Sequence, residues 1–263
     1  MPAYLDRIVA AHRAEAATDV RDVEEVLELA MRADPPRPFG DAIVAASGQQ
    51  GMAVISEIKR RSPSKGVLDS DLDPAAVAAE YEEGGAACLS VLTDHDFFGG
   101  GPGDLRAARA ACALPVLRKD FTVSALDVCD ARAMGADAVL LIAAALTDPE
   151  LVAFLDLAGR CSLTALVEVH DESELHRAVD AGATVIGVNQ RDLRTFEVDR
   201  DRALALGRVM PVGTIAVAES GIRDGRDVAR LADAGYQGVL VGETLVRSVD
   251  RRAAVASLLG AGR

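Results

Sequence analysis

The chain has 263 residues, of which 50% are hydrophobic and 26% are charged, and its formal net charge is −13. This length can bury one sizeable core, and the composition is that of a globular protein rather than a disordered one. The acidic balance, without a basic stripe, argues against nucleic acid and anionic membranes as partners. No apolar run approaches the ~20 residues of a membrane helix, and the N-terminal residues lack the apolar stretch of a signal peptide, so we expect a cytoplasmic protein.

The cysteines and histidines show no spacing that would indicate a metal or disulfide framework. No Cys-x-x-Cys pair occurs, so the cysteines are expected to be core residues and the histidines surface or structural residues. We therefore expect no metal and no cofactor. The residues concerned are Cys88, Cys112, Cys129, Cys161, His12, His95, His170 and His176.

Lysine is unusually scarce: the chain has 25 arginines but only three lysines, Lys59, Lys65 and Lys119. Guanidinium stays charged at any workable pH, whereas an ammonium can exchange its proton when it is buried or crowded by cations. We therefore expect functional lysines at Lys59 and Lys119, while chance explains Lys65 equally well.

Residues 1–50 predict helices. Leu5, Ile8 and Val9 recur at helical spacing, residues 23–33 form a second amphipathic stretch, and the DPPRP segment at 34–38 precedes a third. These residues are too few to hold a core alone, so we expect them to cap the following domain. Deleting residues 1–33 is expected to weaken substrate binding more than folding.

Eight short apolar runs follow, each nearly continuous in hydrophobic residues, which is typical of parallel strands buried on both faces. They are residues 53–58, 86–92, 115–119, 138–142, 164–169, 184–189, 214–219 and 238–242.

Amphipathic, alanine-rich segments between these runs predict helices. Asp73, Ser124 and Asp148 stand where N-cap residues are expected. Arg132, on a predicted outer helix, is expected to accept lysine with almost no effect.

A repeat of about 50 residues organises these elements. Glycine ends a helix shortly before a strand at Gly85, Gly135, Gly182 and Gly235, where a left-handed C′ residue is needed. Four double βα units favour a closed (β/α)8 barrel, since no G-x-G-x-x-G follows the first strand as a doubly wound sheet would require. We predict one domain over residues 1–263, with a helical cap (1–50) on the active-site face of a TIM barrel (51–263).

Polar side chains cluster at the predicted carboxyl ends of the strands, where side chains from different strands of such a barrel converge. Residues two apart share a strand face, so Glu57 and Lys59 can both point into the mouth. Six charges from five strands exceed what one buried salt bridge would explain, and they are expected to perturb each other's pKa values. The residues are Glu57, Lys59, Lys119, Glu168, Asn189, Arg191 and Glu219.

The segments after the last two strands are suited to holding a phosphate group on backbone amides. Ser220, Gly221 and Gly242 would allow the backbone to approach an anion closely. Small residues also end strands for packing reasons, so these positions alone are weak signals.

Taken together, these segments resemble indole-3-glycerol-phosphate synthases across the whole chain. The motifs, in order, are EIKRRSPSKG, LSVLTD with FFGG, PVLRKDF, ADAVLLI, LVEVHDESEL, IGVNQRDL, VAESGI and LVGETL. Three positions depart from the pattern or vary. Ile8 stands where some relatives have an aromatic residue, Gln190 occupies a variable position, and Glu243 can offer a phosphate only its amide.

The resemblance implies a lyase of tryptophan biosynthesis acting on 1-(2-carboxyphenylamino)-1-deoxyribulose 5-phosphate by ring closure, decarboxylation and dehydration. It assigns acid catalysis to Lys119, with Glu168 as base and Lys59 as phosphate partner and possible second acid. It gives Glu57, Asn189 and Glu219 orienting roles. The implied substrate contacts are Ser62, Pro63, Ser90, Phe98, Phe121, Leu140 and Arg191, and the implied phosphate contacts are Lys59, Ser220, Gly221, Gly242 and Glu243.

Two other functions remain open on the residues alone. One is an aldolase in which Lys119 forms a Schiff base, and the other is a non-catalytic phosphosugar-binding barrel, which would have no reason to keep Lys119 and Glu168 together. We expect a monomer with a small phosphosugar substrate, and the sequence leaves open any contacts with other enzymes of the pathway.

Overall fold

The computed structural model describes residues 4–63, 65–192 and 195–260. Eight parallel strands are hydrogen-bonded in chain order, and the last returns to the first, which closes a barrel. The prediction of a (β/α)8 barrel is therefore confirmed, with strand ends within two residues of the predicted ones. The strands are β1 (Ala53–Ile58), β2 (Cys88–Leu92), β3 (Val116–Lys119), β4 (Ala138–Ile142), β5 (Thr164–Val169), β6 (Val185–Asn189), β7 (Ile215–Glu219) and β8 (Gly238–Val241).

Twelve helices accompany the strands within the described ranges. They are α1 (Tyr4–Ala16), α2 (Val23–Ala30), α3 (Phe39–Gln50), α4 (Pro74–Glu83), α5 (Pro102–Ala111), α6 (Ala125–Met134), α7 (Asp148–Arg160), α8 (Glu172–Asp180), α9 (Arg200–Gly207), α10 (Gly225–Asp233), α11 (Glu243–Val246) and α12 (Arg251–Leu259). In the part of the chain described here, no helix combines the length and apolar character needed to cross a bilayer.

The helix ends follow the predicted capping chemistry with one exception. Asp73 and Ser124 accept hydrogen bonds from the first-turn amides of α4 and α6, as expected. For α7 the predicted cap, Asp148, is already the first helical residue. Thr147 caps this helix instead. Its hydroxyl accepts a hydrogen bond from the Glu150 backbone N–H, and the Glu150 carboxylate accepts one from the Thr147 backbone N–H.

Strand residues alternate between two hydrophobic cores, as the two-residue period of a strand requires. On β1, Ile55 joins the core inside the barrel and Val54 joins the core under the helices. The same alternation turns Glu57 inward, two residues beyond Ile55, and it turns Glu168 inward beyond Leu166. The carboxyl end of the barrel interior is therefore polar and the rest is apolar.

The three N-terminal helices lie at three different places on the barrel. Helix α1 covers the carboxyl end, where Leu5 and Ile8 join the interior core. Helix α3 closes the opposite end, with Phe39 and Ile43 fully buried against the first residues of the strands. The expected cap over the active-site face is therefore provided by α1.

Helix α2 belongs to the outer core, so residues 1–33 contribute to packing as well as to the cap, and the greater effect of their deletion on substrate binding than on folding stays a prediction. Its Val26 and Leu27 are buried in the core beneath the outer helices, and it packs along α6. Arg132 lies on an outer helix, α6, as predicted, but its burial removes the basis for expecting lysine to replace it without effect. This side chain is 2% exposed and donates to the Ala33 carbonyl at 2.8 Å, because α2 covers the face of α6 that the sequence pattern left open to solvent.

We predict that Leu27→Ala lowers the free energy of unfolding by about 2–3 kcal/mol, the usual cost of a cavity at a buried leucine. Leu29→Ala is the matched control, since Leu29 lies on the same helix and is 57% exposed. It should change stability by less than about 0.5 kcal/mol. Denaturant unfolding of both variants measures the difference, and equal effects would mean that α2 is not part of the core.

Candidate active site

A cavity of about 630 Å³ opens at the carboxyl ends of the strands, which is within the range of small-molecule sites. With a single exception, Ser90, every residue predicted for the site lines this cavity. These residues are Glu57, Lys59, Ser62, Pro63, Phe98, Lys119, Phe121, Leu140, Glu168, Asn189, Arg191, Glu219, Ser220, Gly221, Gly242 and Glu243. Ser64, within the SPSKG motif, lies outside the described residues.

The floor of the cavity is built around the ammonium group of Lys119. Its Nζ lies 3.2 Å from Glu168 Oε2 and 3.8 Å from Glu219 Oε2. The other Glu168 oxygen accepts from Asn189 Nδ2 at 3.1 Å, and the His170 ring lies 3.5 Å from it. Both glutamates are 2% exposed or less, so the cluster is an ion-pair network shielded from water.

The network moves the pKa values of its members in different directions. For Lys119 burial lowers the pKa, but the neighbouring acidic residues, Glu168 before the others, outweigh burial and raise it. For Glu168 burial raises the pKa, yet Lys119 and His170 bring it below the usual value. For Glu219, burial followed by the neighbouring Glu168 charge raises the pKa to about 8.

The site therefore holds two buried glutamates in opposite protonation states at neutral pH. Glu168 is ionised and can accept a proton, whereas Glu219 keeps its own. The lysine therefore stays protonated at rest and would give its proton only to a strongly basic atom, contrary to what its scarcity suggested, because acidic residues rather than cations surround it.

Two glycines create the space that these carboxylates occupy. A β-carbon on Gly187 would overlap Glu219 Oε1, and one on Gly242 would overlap Glu57 Oε1 and come within 3.2 Å of Lys59 Nζ. Glu57 and Lys59 form an ion pair on β1, directly beside the main cluster. The sequence did not predict a packing role for Gly187.

One side of the cavity is formed by backbone. Ser220 and Gly221 both adopt left-handed conformations, with φ values of 65° and 73°. Gly242 and Glu243 belong to the same side, where the neighbouring strand β8 leads into α11. Glu243 is one-third exposed and lies 3.8 Å from Lys65 and 3.9 Å from Arg247, so its carboxylate faces cations at the rim.

The opposite side is apolar. The rings of Phe98 and Phe121 lie 6.1 Å apart, and Leu140 and Pro63 also line this wall. At its edge, Arg191 donates one guanidinium hydrogen bond to the Phe196 carbonyl, which fixes its head group near the cavity. An aromatic ring fits this wall, and a carboxylate fits its edge.

Ser90 does not reach the cavity. It is fully buried inside the barrel, and its backbone is in register with that of Glu57 on the neighbouring strand. Leu92, two residues further along β2, lines the cavity. Strand alternation puts Ser90 on the correct face, but two residues too deep.

The sequence did not predict the contacts that hold α1 over the cavity. His12 Nε2 lies 2.9 Å from Asp94 Oδ2, and the other Asp94 oxygen accepts from the Phe97 and Phe98 amides. His12, Asp94 and Asp120 place one ligand atom each within 4.8 Å of one another. Because Asp120 is already paired with Arg118, the group serves to fix α1 against the loop that carries Phe98.

Three further arginines, Arg200, Arg223 and Arg247, line the rim without having been predicted. They stand in or beside the helices that follow the last three strands, in segments with no motif of their own. Only the three-dimensional convergence of these segments identifies them.

Comparison with known proteins identifies relatives along almost the whole chain. The sequence profile of the family described as "Indole-3-glycerol phosphate synthase" matches residues 5–258. The "Indole-3-glycerol phosphate synthase 1" of Streptomyces coelicolor is 49% identical over 98% of this chain and 95% of its own length. The "Indole-3-glycerol phosphate synthase" of Mycolicibacterium vanbaalenii is 50% identical over 98% of this chain and 94% of its own.

A solved structure supports the fold alone. The thiamine phosphate pyrophosphorylase of Pyrococcus furiosus superposes with a TM-score of 0.58 over 81% of this chain and 95% of its own, at 16% sequence identity.

We predict that one glutamate side chain titrates near pH 8 in carboxyl-carbon NMR of the ligand-free protein. Glu219→Gln should remove this titration, whereas Glu243→Gln, at a partly exposed rim position, should leave it in place. If every glutamate titrated near the usual ~4.3, Glu219 would be an ordinary ionised carboxylate.

Proposed function

The chain belongs to the indole-3-glycerol phosphate synthase family, and on that premise we propose how the residues of its cavity carry out the reaction. The enzyme is a decarboxylating carbon–carbon lyase of tryptophan biosynthesis. It converts 1-(2-carboxyphenylamino)-1-deoxyribulose 5-phosphate to indole-3-glycerol phosphate. The ring carbon that carries the carboxylate attacks the ketone, carbon dioxide leaves, and loss of water completes the indole.

Lys119 is the acid for ring closure in this proposal. As the new carbon–carbon bond forms, the electron pair of the carbonyl moves onto oxygen, which becomes basic enough to take a proton from an ammonium group. The observation that carries the assignment is the position of Lys119: its ammonium lies at the floor of the cavity, held charged by Glu168.

Glu168 is the base for the dehydration. Its lowered pKa keeps it ionised, and Asn189 and Lys119 hold its two oxygens in place. It accepts the proton released when the new ring double bond forms, while the hydroxyl leaves as water with a second proton. Lys59 and Lys119 both line the cavity and are the two candidates for donating it.

The phosphate group is assigned to the backbone side of the cavity. Lys59, held by Glu57, supplies a positive charge there, and Ser220, Gly221, Gly242 and Glu243 supply amides. Lys59 is the group common to the phosphate site and the catalytic floor.

The apolar side takes the anthranilate ring. Phe98 and Phe121, with Pro63 and Leu140, form the slot, and Arg191 and Ser62 face the carboxylate. A guanidinium is suited to this task because it can contact both carboxylate oxygens.

The Schiff-base alternative conflicts with the surroundings of Lys119. A lysine must be neutral to attack a carbonyl, and the neighbouring Glu168 carboxylate favours its charged form. Fluorescence detection of indole formation from the synthetic substrate, combined with borohydride trapping, separates the two: the synthase forms indole and no trapped adduct. A monomeric state and a cytoplasmic location stay predictions from composition.

We expect Glu168→Gln to lower turnover by ~10²–10⁴-fold, the usual contribution of general acid–base catalysis, because an amide cannot accept the proton. Substrate binding should persist, since size and hydrogen bonding are kept. Glu172→Gln, exposed at the start of α8, is the control and should be indistinguishable from the parent enzyme. Near-normal kcat in the Glu168 variant would make this residue structural.

Lys119→Arg and Lys59→Arg should fail in different ways, although both preserve charge. Arginine does not release a proton near neutrality, so Lys119→Arg should depress kcat severely with a modest change in KM. Lys59→Arg keeps most of its attraction for phosphate and should act mainly on KM.

The measurement is steady-state kinetics of both variants across pH. Arg106→Lys, exposed on α5, replaces Arg132→Lys as the control because Arg132 is buried. If Lys119→Arg turned over at the parent rate, a positive charge would suffice at this position and the proton-donor role would be lost.

A further inference from the structure

The backbone loop assigned to the phosphate is held by two side chains, one of which lies behind it. Gln190 Nε2 donates to the Ser220 carbonyl at 2.7 Å, and Arg200 Nε donates to the Gly221 carbonyl at 3.1 Å. These are the two residues of the loop with left-handed backbones. For Ser220, which has a β-carbon, this conformation is unfavourable, so the hydrogen bond from Gln190 offsets a local cost.

Holding these carbonyls fixes the direction of the next amides. A peptide unit is planar and trans, so the N–H of each residue points away from the carbonyl of the residue before it. With the Ser220 carbonyl turned back to Gln190, the Gly221 N–H is turned to the cavity side. In the next peptide, the Ile222 N–H likewise points away from the Gly221 carbonyl, which Arg200 holds. Within the described ranges, neither amide donates a hydrogen bond to the protein.

Gln190 itself cannot touch a ligand in the cavity. Its side chain is 2% exposed and lies behind the loop, in contrast to Arg200, which lines the cavity. Its own backbone is fixed, because its N–H donates to the Glu219 carbonyl and its carbonyl accepts from Asp199. It is therefore anchored at the end of β6 and reaches across to the end of β7.

We propose that Gln190 is a positioning residue of the phosphate site, which keeps the Gly221 amide directed at the anion. This rests on the proposed function, which assigns the phosphate to this loop. Without the amide donor, the peptide between Ser220 and Gly221 is free to rotate. Rotation would turn a carbonyl oxygen, which repels an anion, toward the phosphate. No sequence motif indicates this role, since Gln190 occupies a variable position between Asn189 and Arg191.

The test uses two competitive inhibitors that each mimic half of the substrate: inorganic phosphate, and anthranilate, which carries the ring and carboxylate. Gln190→Met keeps the length of the side chain and removes the donor. We expect it to raise the inhibition constant of phosphate about tenfold, the range that loss of one hydrogen bond allows. The inhibition constant of anthranilate should stay within about twofold, and KM for substrate should rise with little change in kcat.

Gln237→Met is the matched control. Gln237 also bridges backbone groups of neighbouring segments, accepting from Ala216 N–H and donating to the Gly235 carbonyl, but at the opposite end of the barrel. It should leave both inhibition constants unchanged. Gln190→Asn, one methylene shorter, is the second variant and should shift the phosphate constant in the same direction.

Selective weakening of phosphate in both Gln190 variants supports the proposal. Equal weakening of both inhibitors would show a general structural role and overturn it, as would no change at all. If phosphate did not compete with substrate in the parent enzyme, the assignment of the loop would be wrong and this inference would fall with it, whereas the acid–base roles of Lys119 and Glu168 would stand.

Discussion

The ionisation of the acidic residues at the carboxyl end of the barrel depends on one buried ammonium group, that of Lys119. A cation inside an apolar barrel is costly unless a carboxylate is held against it, and Glu168 provides that partner. A second acid, Glu219, can then remain close only by keeping its proton, because two buried negative charges repel. The same ammonium thus ionises one glutamate and tolerates a neutral one. This is how identical side chains on β5 and β7 acquire different chemistry.

The fold could be predicted from the sequence because its signals are local. Continuous apolar runs marked each strand, and glycine after a helix marked every second return to the sheet, as at Gly135 with its φ of 96°. The errors concern packing between segments distant in the chain. Nothing in the residues around Arg132 indicates that α2 covers them. The error at the start of α7, by contrast, is a local one: Thr147 and Asp148 are neighbours and both residue types are common N-caps, so the sequence does not distinguish which of the two caps the helix.

The site was predictable in its chemistry but not in its supports. Charged residues at strand ends converge by topology, so the sequence predicts that Lys119 and Glu168 lie in the same mouth, and the family resemblance gave them their roles. Depth along a strand is a matter of register, and Ser90 was therefore placed one layer too high. The supporting roles of His12, which holds α1 to the Asp94 loop, and of Gly187, which leaves space for Glu219, arise from contacts between different elements. No sequence motif indicates such contacts.

The distribution of charge explains how an acidic chain can hold an anionic substrate. The net charge is −13, yet the rim of the cavity carries Arg191, Arg200, Arg223 and Arg247, while the carboxylates lie on the floor. The substrate has anionic groups at both ends and a ketone between them. Cations at the rim attract the two ends, and the buried acids disfavour an anion on the floor. In the proposed binding mode this field places the ketone at Lys119, so that binding and the placement of the reacting carbonyl are consequences of the same arrangement of charge.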